Sequence, residues 1–168
     1  MRRRSKRKKP RRPAAYYEVA GLDLEAEMRR LCALPMFGGA EGPLAQEMPT
    51  LSVRRASARP LRNLGFAVPS ERRISVTAYP GIRPGDVQEV LLHELVHIAV
   101  GRRGSSWHGQ LFKRTLRQAM RQAYGVAVTA TQSTTHGAYA DALERRRLAS
   151  GARRFEVHPD QLAFDAAA

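Results

Sequence analysis

Apolar side chains recur at Val87, Leu91, Leu95 and Ile98, the spacing of a helix, and Val90, Leu92, Val96, Ala99 and Val100 carry the apolar surface nearly all round. Such a segment predicts a buried helix over 87–100. Pro84-Gly85-Asp86 supplies its start, with Asp86 as N-cap and Glu89 three residues on in the capping-box position, and Gly101 supplies its stop. A short polar connection, 102–106, leads to a second amphipathic segment carrying Leu111, Phe112, Leu116, Ala119 and Ala123. Upstream, 51–55, 64–68 and 73–79 are short, β-compatible and separated by Pro or polar turns, and Pro80-Gly81 ends the last of them. A first helix is predicted from 23 to about 34, a loop at 38–43, an extended or loop segment at 129–135 and a final short helix at 139–148. The expected fold class is α+β: a small antiparallel sheet packed with helices, in one domain over 14–168. No internal repeat is present.

Three polar residues interrupt the apolar helix: His93, Glu94 and His97 of the run His93-Glu94-Leu95-Val96-His97. At about 100° per residue, His97 lies roughly 40° around the helix from His93, and Glu94 about 60° beyond His97. All three therefore project from one stripe. Two imidazoles so placed can grip one metal ion while the carboxylate faces its open side. Zinc suits such a site, because a catalytic zinc keeps one position for water, whose proton a nearby glutamate can take. Without a metal or a polar network, three buried polar groups would be costly.

A third protein ligand is needed. The metzincin pattern wants Gly and His at fixed offsets where this chain has Val100 and Arg103, so that reading fails. A glutamate from a later helix would be Glu144, but it stands beside Arg145, Arg146 and Arg147, which suggests an exposed helix face. His108 is the better candidate: it opens the second amphipathic segment, and a helix pair joined by the 102–106 turn could bring it back over the first helix.

The block His108-Gly109-Gln110-Leu111-Phe112, following the HExxH helix after a variable loop, resembles the SprT-like zinc metalloproteases, a family that includes the Spartan proteases acting on DNA–protein crosslinks. The resemblance covers about 52–124, since 61–65 and 73–79 also look like the strands preceding the family's metal helix. It implies a zincin-like metal helix, His108 as third zinc ligand and peptidase activity. One departure stands out: bacterial members often carry a C-terminal zinc ribbon, which a chain with Cys32 as its single cysteine cannot build. Cys32, in the first predicted helix with Leu24, Met28 and Leu31, reads as a core thiol.

Net charge changes the picture at one end. The chain is +14, and the first twelve residues hold nine basic side chains, Arg2, Arg3, Arg4, Lys6, Arg7, Lys8, Lys9, Arg11 and Arg12, with no acid. The rest is nearly balanced. Residues 1–13 cannot bury apolar surface and are expected to be disordered in isolation, and their charge density is what phosphate binding to DNA or RNA rewards. With no aromatic residue inside the tail, such binding would be electrostatic and poor in sequence preference. Arg114, Arg117 and Arg121 on one helix face are a second candidate for phosphate. No signal-peptide core or membrane span is legible, so a cytoplasmic protein is expected, nucleoid-associated if bacterial. His136 and His158 are read as surface or core residues.

The combined expectation is a zinc-dependent endopeptidase in which His93, His97 and His108 bind zinc and Glu94 moves the proton, with a polypeptide substrate added as a strand along the edge formed by 73–79. Tyr79, Tyr124 and Tyr139 are unranked candidates to stabilise the oxyanion. The alternative is a nucleic-acid-binding protein that keeps a zinc-stabilised SprT-like fold and cleaves nothing, against which the intact Glu94 argues. A third is a basic structural or processing protein of a phage, whose tail is its function.

Overall fold

The computed structural model describes residues 18–101, 106–132 and 137–153, so the basic tail, Tyr16, Tyr17, His136 and His158 lie outside the described residues. A two-residue hairpin, β1 (Glu18–Val19) with β2 (Leu22–Asp23), opens the fold and was not legible in the apolar pattern. It leads directly into α1 (Leu24–Cys32), whose N-cap Asp23 accepts from the Glu25 and Ala26 amides at 3.0 Å. Its buried stripe is Leu24, Met28, Leu31 and Cys32, and burial pushes the Cys32 thiol up to about 11, which suits a core side chain and not a nucleophile. The stretch expected to be a loop contains a short turn of 3₁₀ helix at Gly39–Glu41, preceded by another at Pro35–Phe37 and followed by a brief α2 (Pro43–Gln46).

Three strands follow: β3 (Thr50–Arg55), β4 (Gly65–Val68) and β5 (Arg73–Ala78). Their positions agree with the apolar pattern, but the sheet is mixed where an antiparallel one was expected. β4 and β5 form an antiparallel hairpin through a 3₁₀ turn at Pro69–Glu71, whereas β3 pairs with β5 in parallel, Thr50 opposite Arg73 and Arg55 opposite Ala78. The reason is strand order. Direction reverses at each connection, but residues 56–64 carry the chain past β5 before β4 begins, so the order is β3-β5-β4. β5 takes the centre because Ile74 and Val76 are fully buried, while β3, with Arg54 and Arg55 exposed, tolerates an edge.

The buried helix is α3 (Pro84–Val100), three residues longer at its start than the capping pattern suggested. Pro84 occupies the first helical position, where its missing N–H costs nothing. Asp86 is not the cap: its carboxylate accepts from the Arg83 amide at 3.0 Å and from the Arg83 guanidinium at 2.8 and 2.9 Å. Beyond it come α4 (Gln110–Tyr124) and α5 (Ala138–Ala149). α3 packs against β4 and β5 and against both later helices, with Leu91, Leu92, Leu95 and Val96 at zero exposure in the middle of the core.

Glu89 has a different task from capping its own helix. Its Oε2 accepts from the Ala140 amide of α5 at 2.7 Å, and Glu144 of α5 returns the arrangement by accepting from the Gly85 amide of α3 at 2.7 Å. Each helix thus satisfies an amide in the other's first turn, where the helix end is positive. Gly85 is required for so close a crossing, because a Cβ there would stand 2.7 Å from the Ala140 carbonyl oxygen. The expectation that Glu144 lies on an exposed face is therefore wrong: it is 8% exposed, held by Gly85 and by the Arg147 guanidinium at 2.9 Å. Arg146 is likewise used internally, donating to the Gly125 carbonyl at 2.7 Å. No described helix is long and apolar enough to cross a membrane.

Candidate metal centre

α3 presents His93 and His97 one turn apart, and the short segment before α4 brings His108 over them. The three Nε2 atoms form a near-equilateral triangle: 3.1 Å from His93 to His108, 3.2 Å from His93 to His97 and 3.1 Å from His97 to His108. Imidazole nitrogens converging this closely repel unless a proton or a cation lies between them. Three converging imidazole nitrogens are the donor set that a zinc ion would take, and His93, His97 and His108 would hold it. The three histidines can thus hold a metal ion, and the donor set and the facial geometry fit it.

Phe112 explains why an aromatic four residues after His108 belongs to this site. Its ring is 97% buried beneath the cluster, stacked on His97 at 4.3 Å and edge-on to His93 and His108 at 4.9 Å. One turn of helix α4 thus supplies a floor for all three imidazoles. His97 is buried, and that burial, helped by His108, lowers its pKa to about 4; His108 is lowered too, by burial and then by Lys113. Both rings are consequently held neutral, as metal ligands must be. With Nε2 turned toward the cluster, His97 Nδ1 is buried on the other side of the ring and has no hydrogen-bond partner among the described residues.

Glu94 lines the same cleft and is 7% exposed, and burial alone raises its carboxyl to about 8. A cation on the histidines would pull that value down, since an opposite charge nearby favours the ionised form. The cleft holds about 730 Å³, and beside the α3 side chains it is lined by residues 62–67 and by Ser106, Trp107 and His108. Several of these carry no metal-site signal in the sequence. Gly65 is the telling one: a Cβ there would meet Val90 Cγ1 at 2.6 Å, the Ser75 carbonyl oxygen at 2.9 Å and Glu94 Cγ at 3.1 Å. A lone glycine within a strand pattern is the mark of close backbone approach, and here it lets β4 lie against the Glu94 stem. Gly65→Ala is expected to cost about 1–3 kcal/mol, read as a lower Tm, because Val90 and backbone cannot yield cheaply.

Two expectations need correction. The 73–79 segment offers no edge to a substrate, because β5 is the central strand, paired on both sides. Among the described strands, β4 is the sheet edge beside the histidines. Thr77 N donates to Leu64 O at 2.7 Å, so in the β4–β5 register Leu64, Phe66 and Val68 bond inward, and the N–H and C=O groups of Gly65 and Ala67 face outward. None of the three tyrosines lines the cleft: the Tyr124 hydroxyl donates to Glu27 at 2.6 Å, and Tyr79 and Tyr139 are buried elsewhere. Arg114, Arg117 and Arg121 lie along α4 outside the cleft.

No family model, curated protein or solved structure matches the chain.

Proposed function

We propose that this protein is a zinc-dependent endopeptidase. The observation that carries the reading is the convergence of three imidazole nitrogens within 3.1–3.2 Å on a cleft that also contains the buried carboxyl of Glu94. Zinc bound there supplies a Lewis acid for the scissile carbonyl and an acidified water as nucleophile. The chain's own residues supply the rest. Glu94 accepts the proton of the attacking water and delivers it to the departing amine, and its buried position keeps bulk water from competing. The outward amide and carbonyl groups of Gly65 and Ala67 give an extended peptide a strand to pair with, holding its backbone across the metal ligands. A metal assay paired with proteolysis by wild type and Glu94→Gln tests the reading, and a metal-free wild type or equal cleavage by the two proteins would refute it.

The tail gives the peptidase a place of work. Nine basic residues in the first twelve bind DNA or RNA phosphates and concentrate the enzyme on nucleic-acid-associated proteins, DNA-crosslinked ones included. Affinity for duplex DNA is expected to fall steeply with salt, with a log–log slope near 0.9 per phosphate neutralised. Removing residues 1–13 should flatten that slope and weaken cleavage of a DNA-bound substrate, while cleavage of a free, unstructured polypeptide survives. Binding measured at two salt concentrations for full-length and truncated protein decides it, and unchanged affinity after truncation would turn attention to Arg114, Arg117 and Arg121.

A further inference from the structure

The described surface carries four large exposed apolar side chains, Leu61, Trp107, Leu111 and Leu148, and one of them, Trp107, lines the cleft. Trp107 lines it directly; Leu61 adjoins the lining residue Arg62, and Leu111 follows His108 in the first turn of α4. A partly exposed indole in a cleft presents a broad apolar face to whatever enters it. Trp107 is 41% exposed, is bonded through the chain to His108 and meets the His97 ring edge-on at 5.8 Å. A peptide whose scissile bond lies at the three imidazoles brings the side chains beside that bond within reach of an indole that lines the same cleft and touches His97. A side chain next to the scissile bond is then the group that reaches it.

Resting on the endopeptidase reading, we propose that Trp107 is a specificity-determining residue, and that the substrates are extended polypeptide segments bearing a large apolar or aromatic side chain beside the bond cleaved. An indole offers a broad apolar face at low conformational cost, and aromatic pairs add to the area they bury. Folded proteins keep such side chains inside, so the cleft reads unfolded stretches.

Trp107 is the single tryptophan of the chain, so emission from the protein reports on this wall alone. The experiment uses full-length, zinc-loaded protein and two ten-residue Ala/Ser/Gly peptides that differ by one central residue, Phe or Ser. With Glu94→Gln as a non-cleaving trap, the Phe peptide is expected to shift the emission and saturate at a concentration at least tenfold below the Ser peptide. Wild type is expected to cleave the Phe peptide beside the Phe with kcat/KM about 10–100-fold higher, the range an apolar pocket can discriminate. Trp107→Ala should bring the Phe peptide down to the level of the Ser peptide with zinc content and Tm retained, and Trp107→Phe should restore part of the preference. Cleavage of both peptides at equal kcat/KM by wild type, or a preference that survives Trp107→Ala, would overturn the inference and leave the endopeptidase reading standing. A saturable emission shift with the Phe peptide and no cleavage by wild type would support docking at Trp107 while refuting the peptidase. Neither shift nor cleavage would refute both.

Discussion

Glu94→Gln is expected to lower peptidase kcat/KM by about 10²–10⁴-fold, the span usual for loss of a positioned general base, while metal content stays at the wild-type level. The amide keeps the volume and the packing of the stem against Gly65 but cannot take a proton from water, and Glu94 is not among the three nitrogen donors, so no ligand is lost. The same substitution has a pH signature in metal-free protein. In the fold the Glu94 carboxyl is raised to about 8 from 4.5, so between those values the unfolded chain releases a proton that the folded one keeps. Wild-type stability therefore falls as pH rises through that window, by an amount on the order of a few kcal/mol. Glu94→Gln removes the dependence, and its Tm should exceed that of wild type near pH 8 and match it near pH 4.5. Zinc should erase the difference by pulling the wild-type carboxyl down. His97 acts in the opposite sense: lowered to about 4 from 6.5, it makes stability fall as pH drops through that range. Peptidase activity unchanged in Glu94→Gln, or metal lost from it, would sink the assignment of the proton to this residue.

The second large effect is expected from His108→Ala. With one vertex of the imidazole triangle gone, metal should be held at least about 100-fold more weakly, and peptidase activity should fall with it, because two neutral imidazoles do not close a catalytic zinc site. The fold should survive: the His108 side chain is exposed, and Phe112 beneath it stays anchored in the core. Metal analysis after equilibration with a graded chelator reads the change. Glu144→Ala is the control that discriminates. Glu144 is committed to the Gly85 amide and Arg147, so its loss should lower Tm and leave the metal in place. Full metal in His108→Ala together with loss in Glu144→Ala would reverse the ligand assignment.

The histidine-bearing helix was legible because its burial and its chemistry conflict: a run apolar on nearly every side carries His93, Glu94 and His97 on one stripe. His108 was legible through its spacing to Phe112, although the reason for the phenyl ring, a floor under three imidazoles, comes only from the packing. Strand positions were readable from β-branched runs, but strand order was not. The sequence of 56–64 does not say that the chain passes β5 before pairing, and that one fact decides which strand lies at the edge beside the histidines. Gly65 and Arg62 escaped for a related reason: they meet the histidines only through the tertiary approach of two segments, each unremarkable alone. Glu144 misled because three neighbouring arginines make an exposed face the natural expectation, yet two of them, Arg146 and Arg147, are turned inward to a carbonyl and to Glu144 itself.

The exchanged carboxylates of α3 and α5 give the two helices a single register. Sliding either along its axis by one residue opens both bonds together and leaves the buried Ala140 and Gly85 amides without their acceptors, a penalty of about 1–3 kcal/mol for each. Rotation is blocked as well, because Gly85 leaves no room for the α5 backbone to climb over it. The height at which His93 and His97 stand over the cleft is thus set from behind, by a helix that contributes no residue to the cleft wall. In this molecule, the alignment of the imidazoles is a property of the latch, and a loosened latch would be felt first as a misaimed metal site.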